Sequence, residues 1–279
     1  MKTTAYTVRA LAQGVFEIGE FDCGSMFLIE GDEKALLIDC GTGIGDLRAA
    51  LSRLTDKPLI VALTHNHPDH IGHLPLFGEA YINEADMDGA KDAAANGRQN
   101  RAGYAGFIAQ RSGLSYPYNL DVDMEGDWDI SRVKFLPLRD GMCFELGGRA
   151  VTTYLCPGHT PGSAVFIDGK SRIMFLGDAL NGNLLIMGST IEKALEGLQR
   201  IRSQNSEYDV FYNGHYDFRL CGKPLDTAVL TDTIEAMRKL MGGDYELTFI
   251  KSDLPIFPDR EVMKLGKAMI TFDKERIRG

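Results

Sequence analysis

The most constraining feature of this chain is a cluster of histidines that directly follows a short apolar run. Residues 59–63 read Leu-Ile-Val-Ala-Leu, a run of the length expected for a buried strand. The segment after it reads Thr-His-Asn-His-Pro-Asp-His, from Thr64 to His70. In an extended loop the spacing of His65 and His67 points both imidazoles the same way, while Asp69 and His70 can turn toward a second position beside them. The fold must therefore present these side chains together at the edge of a sheet.

Imidazole and carboxylate groups in this arrangement favour a metal site. Together they suit Zn²⁺, and also Fe or Mn, better than Ca²⁺ or Mg²⁺. Two more histidines, His159 and His215, stand alone far downstream, and His73 lies three residues after His70. A lone pair of histidines would be weak evidence, but this longer pattern after an apolar strand predicts metal binding.

Composition narrows the class of protein. The 279 residues carry a formal net charge of −9, which argues against a nucleic-acid binder because phosphate contacts need basic surface. We find no run of about 18 apolar residues and no apolar segment of a signal peptide near the start, so neither membrane association nor secretion is expected. The five cysteines are scattered, without a CxxC pair, and are typical of reduced thiols. We expect a cytoplasmic protein that acts on a small molecule. A homodimer is one possible assembly.

Strand and helix patterns alternate along one domain that spans residues 1–279. The predicted strands cover residues 14–18, 26–30, 35–39, 59–63, 133–136, 142–146, 150–155, 163–167, 172–176, 209–212 and 262–272. Amphipathic helices are predicted around residues 44–54, from a capping box of Ser189 and Glu192 through Ile201, and from Val229 to Gly242. Residues 84–130, partly helical and then rich in turns and aromatic residues, are a candidate lid or insert. Two layers, each of a sheet and helices, are expected to pack together.

Four further motifs carry a family resemblance. In chain order they are Leu36-Leu37-Ile38-Asp39 followed by Gly41, Pro157-Gly158-His159-Thr160-Pro161-Gly162-Ser163, Phe175-Leu176-Gly177-Asp178, and Asn213-Gly214-His215. With the histidine segment, they resemble the metallo-β-lactamase-fold hydrolase superfamily. The resemblance implies an α+β fold, an αββα sandwich of two mixed β-sheets flanked by helices, with metals at one edge of the sheets.

The resemblance also implies a role for each site residue. His65, His67 and His159 would bind a first metal ion, Asp69, His70 and His215 a second, and Asp178 would bridge the two. Asp69 and Asp178 are the expected catalytic carboxylates. Asp39 is expected to hold a ligand or a loop by hydrogen bonds, and His73 to have such a supporting role or a surface role. Tyr212, Asn213 and Tyr216, which flank His215, are candidate substrate contacts, although packing explains each of them as well.

Within the superfamily, the filled ligand set favours a dinuclear hydrolase of the glyoxalase II-like or lactonase-like branch. Two divalent ions, Zn²⁺ first and Fe or Mn as alternatives, would hold a bridging hydroxide that cleaves a small ester, thioester or lactone. One alternative is a mononuclear-iron oxidoreductase similar to persulfide dioxygenases. Others are a phosphodiesterase, a β-lactamase-type amide hydrolase, and a metal-binding module without catalysis. The family's β-lactamases generally lack the aspartate that Asp178 supplies, which disfavours that branch.

Overall fold

The computed structural model describes residues 6–20, 24–95, 102–103, 132–215, 221–251 and 259–279. In chain order, its strands are β1 (Thr7–Ala12), β2 (Val15–Glu20), β3 (Gly24–Glu30), β4 (Ala35–Ile38), β5 (Leu59–Ala62), β6 (Glu79–Ile82), β7 (Lys134–Pro137), β8 (Cys143–Glu145), β9 (Ala150–Leu155), β10 (Ala164–Asp168), β11 (Ile173–Phe175), β12 (Asn183–Leu185), β13 (Val210–Tyr212), β14 (Leu247–Ile250), β15 (Arg260–Leu265) and β16 (Ala268–Thr271). Its α-helices are α1 (Leu47–Leu51), α2 (Pro68–Ile71), α3 (Glu84–Ala95), α4 (Ile191–Ser203) and α5 (Thr227–Gly242). No helix in these ranges is both long enough and apolar enough to cross a membrane.

The N-terminal half of the described chain forms a mixed sheet in the order β1-β2-β3-β4-β5-β6-β7. Neighbouring strands are antiparallel as far as β4, and from β4 to β7 they are parallel. All four residues of β4 are buried, as expected for a strand covered on both faces. The parallel pairing of β4 and β5 brings the loops after both strands to the same edge.

The second sheet has the order β13-β11-β10-β9-β8, with β11 and β13 parallel. A further sheet, in the order β12-β16-β15-β14, is absent from the sequence prediction. The prediction of one strand over residues 262–272 is wrong, because the chain reverses between β15 and β16 at Gly266, where φ is +54°. A left-handed backbone of this kind favours glycine, which explains the turn.

Three apolar cores separate the layers of the described structure. Leu47 and Ile71 belong to the core between helices α1–α3 and the outer face of the first sheet. Phe27 and Phe166 belong to the core between the two sheets. Leu198, from α4, belongs to the third core, which α4, α5, the second sheet and the further sheet share. The order of layers is helix, sheet, sheet, helix, so the predicted αββα sandwich is confirmed as a single domain of mixed sheets with flanking helices.

Two local expectations are refined by the structure. The capping box predicted at Ser189 is displaced by one residue: Thr190 caps α4 and accepts a hydrogen bond from the backbone N–H of Lys193. The candidate lid begins with α3, whose Ala90 is buried in the first core. Residues 96–101 and 104–131 lie outside the described residues, so the lid itself stays a prediction.

Candidate metal centre

The site is built from loops that follow the ends of strands. Residues 64–67 follow β5, and residues 157–163 follow β9. His67 is extended, with φ −71° and ψ 147°, and Pro68 then begins α2 at a position where its missing N–H is not needed. His67 thus lies on extended backbone and His65 in the loop before it, whereas Asp69 and His70 lie on the single turn of α2.

One group of candidate ligands comprises His65, His67 and His159, whose ligand atoms all lie within 4.8 Å of one another. Nε2 of His159 lies 2.8 Å from Nδ1 of His67, although the two residues are 92 positions apart in the chain. Nε2 of His65 is buried and has no hydrogen-bond partner among the described residues. Three imidazole nitrogens converging in this way form the donor set that zinc prefers.

A second group comprises Asp69, His70 and His215, again with ligand atoms within 4.8 Å of one another. Asp178 lies between the two groups. Its Oδ2 is 3.1 Å from Nε2 of His215 and 3.6 Å from Nε2 of His159, and its Oδ1 is 3.7 Å from Nε2 of His70. The carboxylate of Asp178 therefore faces histidines of both groups.

Buried polar atoms without partners provide a test of whether metal ions fit this site. Nε2 of His65, Nε2 of His70 and Oδ1 of Asp178 are all buried, and within the described part of the chain they find no hydrogen-bond partner. A buried donor or acceptor left unsatisfied costs about 1–3 kcal/mol, so three of them at one place need an explanation. Cations bound between these atoms would supply it, and the donor set therefore fits divalent metal ions.

Contacts outside the centre fix which nitrogen three of the histidines present. His70 donates from Nδ1 to Oδ2 of Asp39 over 2.8 Å, and Thr64 donates to both oxygens of the same carboxylate, from its backbone N–H and from its hydroxyl. The hydroxyl of Thr64 in turn lies 2.9 Å from Nδ1 of His65. His159 uses its Nδ1 to contact the backbone oxygen of Leu185 at 2.8 Å. Since each Nδ1 is engaged, each of these histidines directs Nε2 toward the centre.

The charges of the site favour metal binding. Burial, reinforced by neighbouring histidines, lowers the pKa of His65 well below its usual range, and burial lowers the pKa of His159 to about 4. Burial opposes ionisation of Asp178, but His215 and His70 outweigh it and hold the pKa of Asp178 well below its usual range. Neutral imidazoles and ionised carboxylates are the forms that bind metal ions.

His70 differs from the other histidines in its protonation. Burial alone would lower its pKa, but the negative charges of Asp69, Asp39 and Asp178 raise it to about 9. In the absence of metal this imidazole is therefore a cation at neutral pH. Metal binding at His70 would release a proton.

Residues 21–250 match the family model of the metallo-beta-lactamase superfamily. The chain belongs to this superfamily. Its membership confirms the family resemblance of the sequence motifs.

Two relatives of this chain have names that state an enzymatic activity. The acyl-coenzyme A thioesterase MBLAC2 of Bos taurus is 26% identical over 204 residues, which cover 65% of this chain and 68% of the bovine protein. The hydroxyacylglutathione hydrolase GloC of Haemophilus influenzae is 31% identical over 164 residues, 55% of this chain and 65% of that protein. These are distant homologues of this chain.

Solved structures of the superfamily share the fold. A metallo-beta-lactamase from Pontibacter korlensis superposes with a TM-score of 0.55 at 17% identity and covers 82% of this chain and 97% of its own. The superfamily protein ST1585 from Sulfolobus tokodaii gives a TM-score of 0.51 at 18% identity over 85% of this chain and 86% of its own. At these identities the likeness establishes the fold alone.

The remaining predicted site residues either belong to none of the described ligand groups or lie outside the described residues. His73 is buried, with Nδ1 2.8 Å from the backbone oxygen of Cys40, and the described ligand groups do not include it. Tyr212 is buried in the core between the sheets, its ring centroid 6.2 Å from that of Phe27, and Asn213 is fully buried. Tyr216 lies outside the described residues. The substrate roles of these three residues stay predictions.

The sequence analysis did not single out two residues that support the candidate ligands. Thr64, which precedes the first histidine, contacts both Asp39 and His65. Asp86, in the first turn of α3, accepts hydrogen bonds from the loop that carries His159. The position of Thr64 in the motif could have drawn attention to it, whereas an aspartate near a helix start is too common to single out Asp86.

Proposed function

We propose that this protein is a dinuclear metal-dependent hydrolase that cleaves a small ester, thioester or lactone. The observation that carries this proposal is the position of Asp178. Its carboxylate oxygens lie 3.1–3.7 Å from histidine nitrogens of both ligand groups, as a bridging ligand requires. A site for one metal ion would not need this shared carboxylate.

The assignment of ligands follows from the two groups. His65, His67 and His159 would hold one metal ion, Asp69, His70 and His215 the other, and Asp178 both. Two divalent ions, with Zn²⁺ the first candidate and Fe or Mn the alternatives, would supply a water of lowered pKa and polarise the electrophile's oxygen.

The remaining chemistry belongs to the chain's own carboxylates. Asp69 is buried and close to His215, with Oδ2 3.5 Å from Nε2 of that histidine. Its neighbours, led by His70, outweigh burial and lower the pKa of Asp69, so the carboxylate is ionised and able to accept a hydrogen bond from an attacking water. Asp39, which holds His70 and Thr64, keeps the ligands oriented while the charge in the centre changes.

Thioesters come first among the substrate classes. Relatives carry the names acyl-coenzyme A thioesterase and hydroxyacylglutathione hydrolase. The net charge of −9 supports a small molecule rather than a nucleic acid as the substrate. We also propose that the protein works in the cytoplasm, because its scattered cysteines are typical of a compartment that keeps thiols reduced.

The test combines metal analysis with hydrolysis assays. Protein purified without chelator or added metal should contain about two zinc ions per chain and should cleave an acyl-coenzyme A, a hydroxyacylglutathione or a lactone. Asp178→Ala should lose one metal ion and several orders of magnitude in kcat. Asp168→Asn is the matched control, because Asp168 is a fully buried aspartate that belongs to none of the described ligand groups.

Other outcomes would contradict the proposal. Near-normal turnover of Asp178→Ala would exclude the bridging role. About one iron per chain, with oxygen consumption on persulfide or thiol substrates, would favour the hypothesis of a mononuclear-iron oxidoreductase over that of a hydrolase. Cleavage confined to phosphodiesters or to β-lactam amides would replace the proposed substrate class.

A further inference from the structure

Asp86 is a buried carboxylate that the proposed chemistry does not use. It lies in the first turn of α3 and has 0% of its surface exposed. The hydroxyl of Thr160 donates to its Oδ2, and the backbone N–H of Gly162 donates to its Oδ1 over 2.8 Å. The backbone amide of Asn66 also favours the ionised form of this carboxylate, although burial raises the pKa of Asp86 overall.

These partners belong to the two loops that carry the first ligand group. Asn66 stands between His65 and His67, and Thr160 directly follows His159. The loops come from distant parts of the chain: the first lies between β5 and α2, and the second between β9 and β10. Asp86 touches both of them from a third element, α3.

Two glycines near Asp86 allow the close approach of α3 to the two loops. An added Cβ at Gly162 would lie 2.7 Å from Cγ of Asp86, so a larger residue there would displace the carboxylate. An added Cβ at Gly89, one turn farther along α3, would lie 2.0 Å from Nδ2 of Asn66. The helix therefore contacts the loop of His65 and His67 at two places. The carboxylate of Asp86 accepts from the backbone N–H of Asn66, and Gly89 lies against the side chain of Asn66.

Additional hydrogen bonds make the loop of His159 rigid around Asp86. Ser163 Oγ accepts from the backbone N–H of Thr160 over 3.0 Å and lies 2.8 Å from the hydroxyl of Thr160. The hydroxyl of Thr160 can thus accept from Ser163 while it donates to Asp86. A satisfied buried network of this kind specifies one geometry, because any displacement leaves several polar groups without partners.

We infer that Asp86 is a positioning residue for the first metal ion: it holds the loop of His65 and His67 at a fixed distance from the loop of His159. This inference rests on the ligand assignment of the proposed function. Asp86 is in none of the described ligand groups, so it acts through the loops and not as a ligand. It is the counterpart of Asp39, which contacts His70 of the second group directly.

The test measures metal affinity in backgrounds that retain a single ion. His215→Ala leaves the first group intact, and His159→Ala leaves the second group intact. Asp86→Ala in the His215→Ala background should weaken zinc binding by about 10–100-fold, the usual effect of removing a residue that orients metal ligands. In the His159→Ala background the same change should alter zinc affinity less than about threefold. Competition with a chromogenic chelator gives both constants without any substrate.

Conservative variants at Thr160 separate positioning from general destabilisation. Thr160→Ser keeps the hydroxyl that donates to Asp86 and should bind zinc as the wild type does, while Thr160→Val should reproduce the defect of Asp86→Ala. If Asp86→Ala does not fold, the two Thr160 variants test the same hydrogen bond from the other partner. Asp168→Asn, at another fully buried aspartate, should lower the free energy of unfolding without changing zinc affinity.

Equal losses of affinity in both single-ion backgrounds, or no loss in either, would overturn the role of Asp86. Thr160→Val with wild-type zinc affinity would overturn it as well. Because these measurements use zinc alone, a lack of thioester cleavage would refute the proposed substrate and leave the inference about Asp86 intact.

Discussion

Nδ1 of His70 lies 2.8 Å from Oδ2 of Asp39, and both side chains are almost fully buried. Asp39 adopts a positive φ of +60°, which is uncommon for a residue other than glycine. Its carboxylate accepts hydrogen bonds from the backbone N–H and the hydroxyl of Thr64 as well as from His70. One residue in an unusual backbone conformation thus supports ligands of both groups, since Thr64 also contacts His65.

This relationship makes Asp39→Asn an informative substitution. Asparagine tolerates the positive φ, but it leaves a single oxygen to accept from three donors. We expect the affinity for at least one metal ion to fall by about 10–100-fold, with the chain still folded. Chelator competition on the variant measures this, and Asp168→Asn again serves as the control. Wild-type affinity for both ions would show that Asp39 does not position the ligands.

His73 offers a contrast with the ligand histidines. Its Nδ1 contacts the backbone oxygen of Cys40 at 2.8 Å, and its Nε2 lies 3.5 Å from the hydroxyl of Tyr6. We expect His73→Ala to keep the full metal content and to lower the free energy of unfolding by about 1–3 kcal/mol, because the buried imidazole leaves a cavity and the oxygen of Cys40 loses one of its two donors. The other donor, the backbone N–H of His73, remains. Metal analysis and urea unfolding measure the two effects. A lost metal ion in His73→Ala, comparable with the loss expected for His65→Ala, would mean that the ligand set is wrong.

Gly214 is a site where a single methyl group should disturb the centre. An added Cβ there would lie 2.6 Å from Cε1 of His70 and 2.8 Å from Oδ1 of Asp178. Both are buried side chains of the candidate ligand groups, so we expect Gly214→Ala to weaken metal binding at least about tenfold. Gly242→Ala, at the end of α5, is the control, since its Cβ would meet no described atom within 4 Å. That control should be neutral or stabilising by up to about 1 kcal/mol. Unchanged metal affinity in Gly214→Ala would show that the ligands can move aside.

Glu20 should give the stability of this protein a specific dependence on pH. It is fully buried, accepts from the backbone N–H of Thr42 over 2.6 Å, and burial raises its pKa from the ordinary 4.5 to about 7. The folded chain therefore binds this proton more tightly than the unfolded chain, so stability falls as pH rises from 4.5 to 7. The loss attributable to Glu20 is at most about 3 kcal/mol.

Glu20→Gln isolates this effect, because glutamine keeps one oxygen for the N–H of Thr42 and does not titrate. We expect the difference in free energy of unfolding between the variant and the wild type to grow in favour of the variant between pH 5 and pH 7.5. Urea unfolding of both metal-free proteins measures it, and the titration of the histidines cancels in the difference. Parallel pH profiles of the two proteins would contradict the raised pKa.

Local patterns in the sequence were enough for the apolar strands and for the ligand-bearing motifs. The run at residues 59–63 predicts β5 because its length and continuous hydrophobicity fit a strand buried on both faces. The end of α5 was predictable for a similar reason. Gly243, the residue after the helix, has a left-handed backbone with φ +74°, a conformation that favours glycine. Such features depend on residues close together in the chain.

Tertiary structure alone decided which of these features meet. The further sheet joins β12 to β16 across more than eighty residues, and these two strands, of three and four residues, are too short to carry a clear period of their own. In the sequence, Asp86 is indistinguishable from any other aspartate at the start of a helix. Its role depends on the packing of α3 beside the loops of His67 and His159. The sequence determined the chemistry of the ligands, because side-chain type is local. Only the packing of distant elements decided that the carboxylate of Asp39 holds His70 and that the backbone oxygen of Leu185 holds His159.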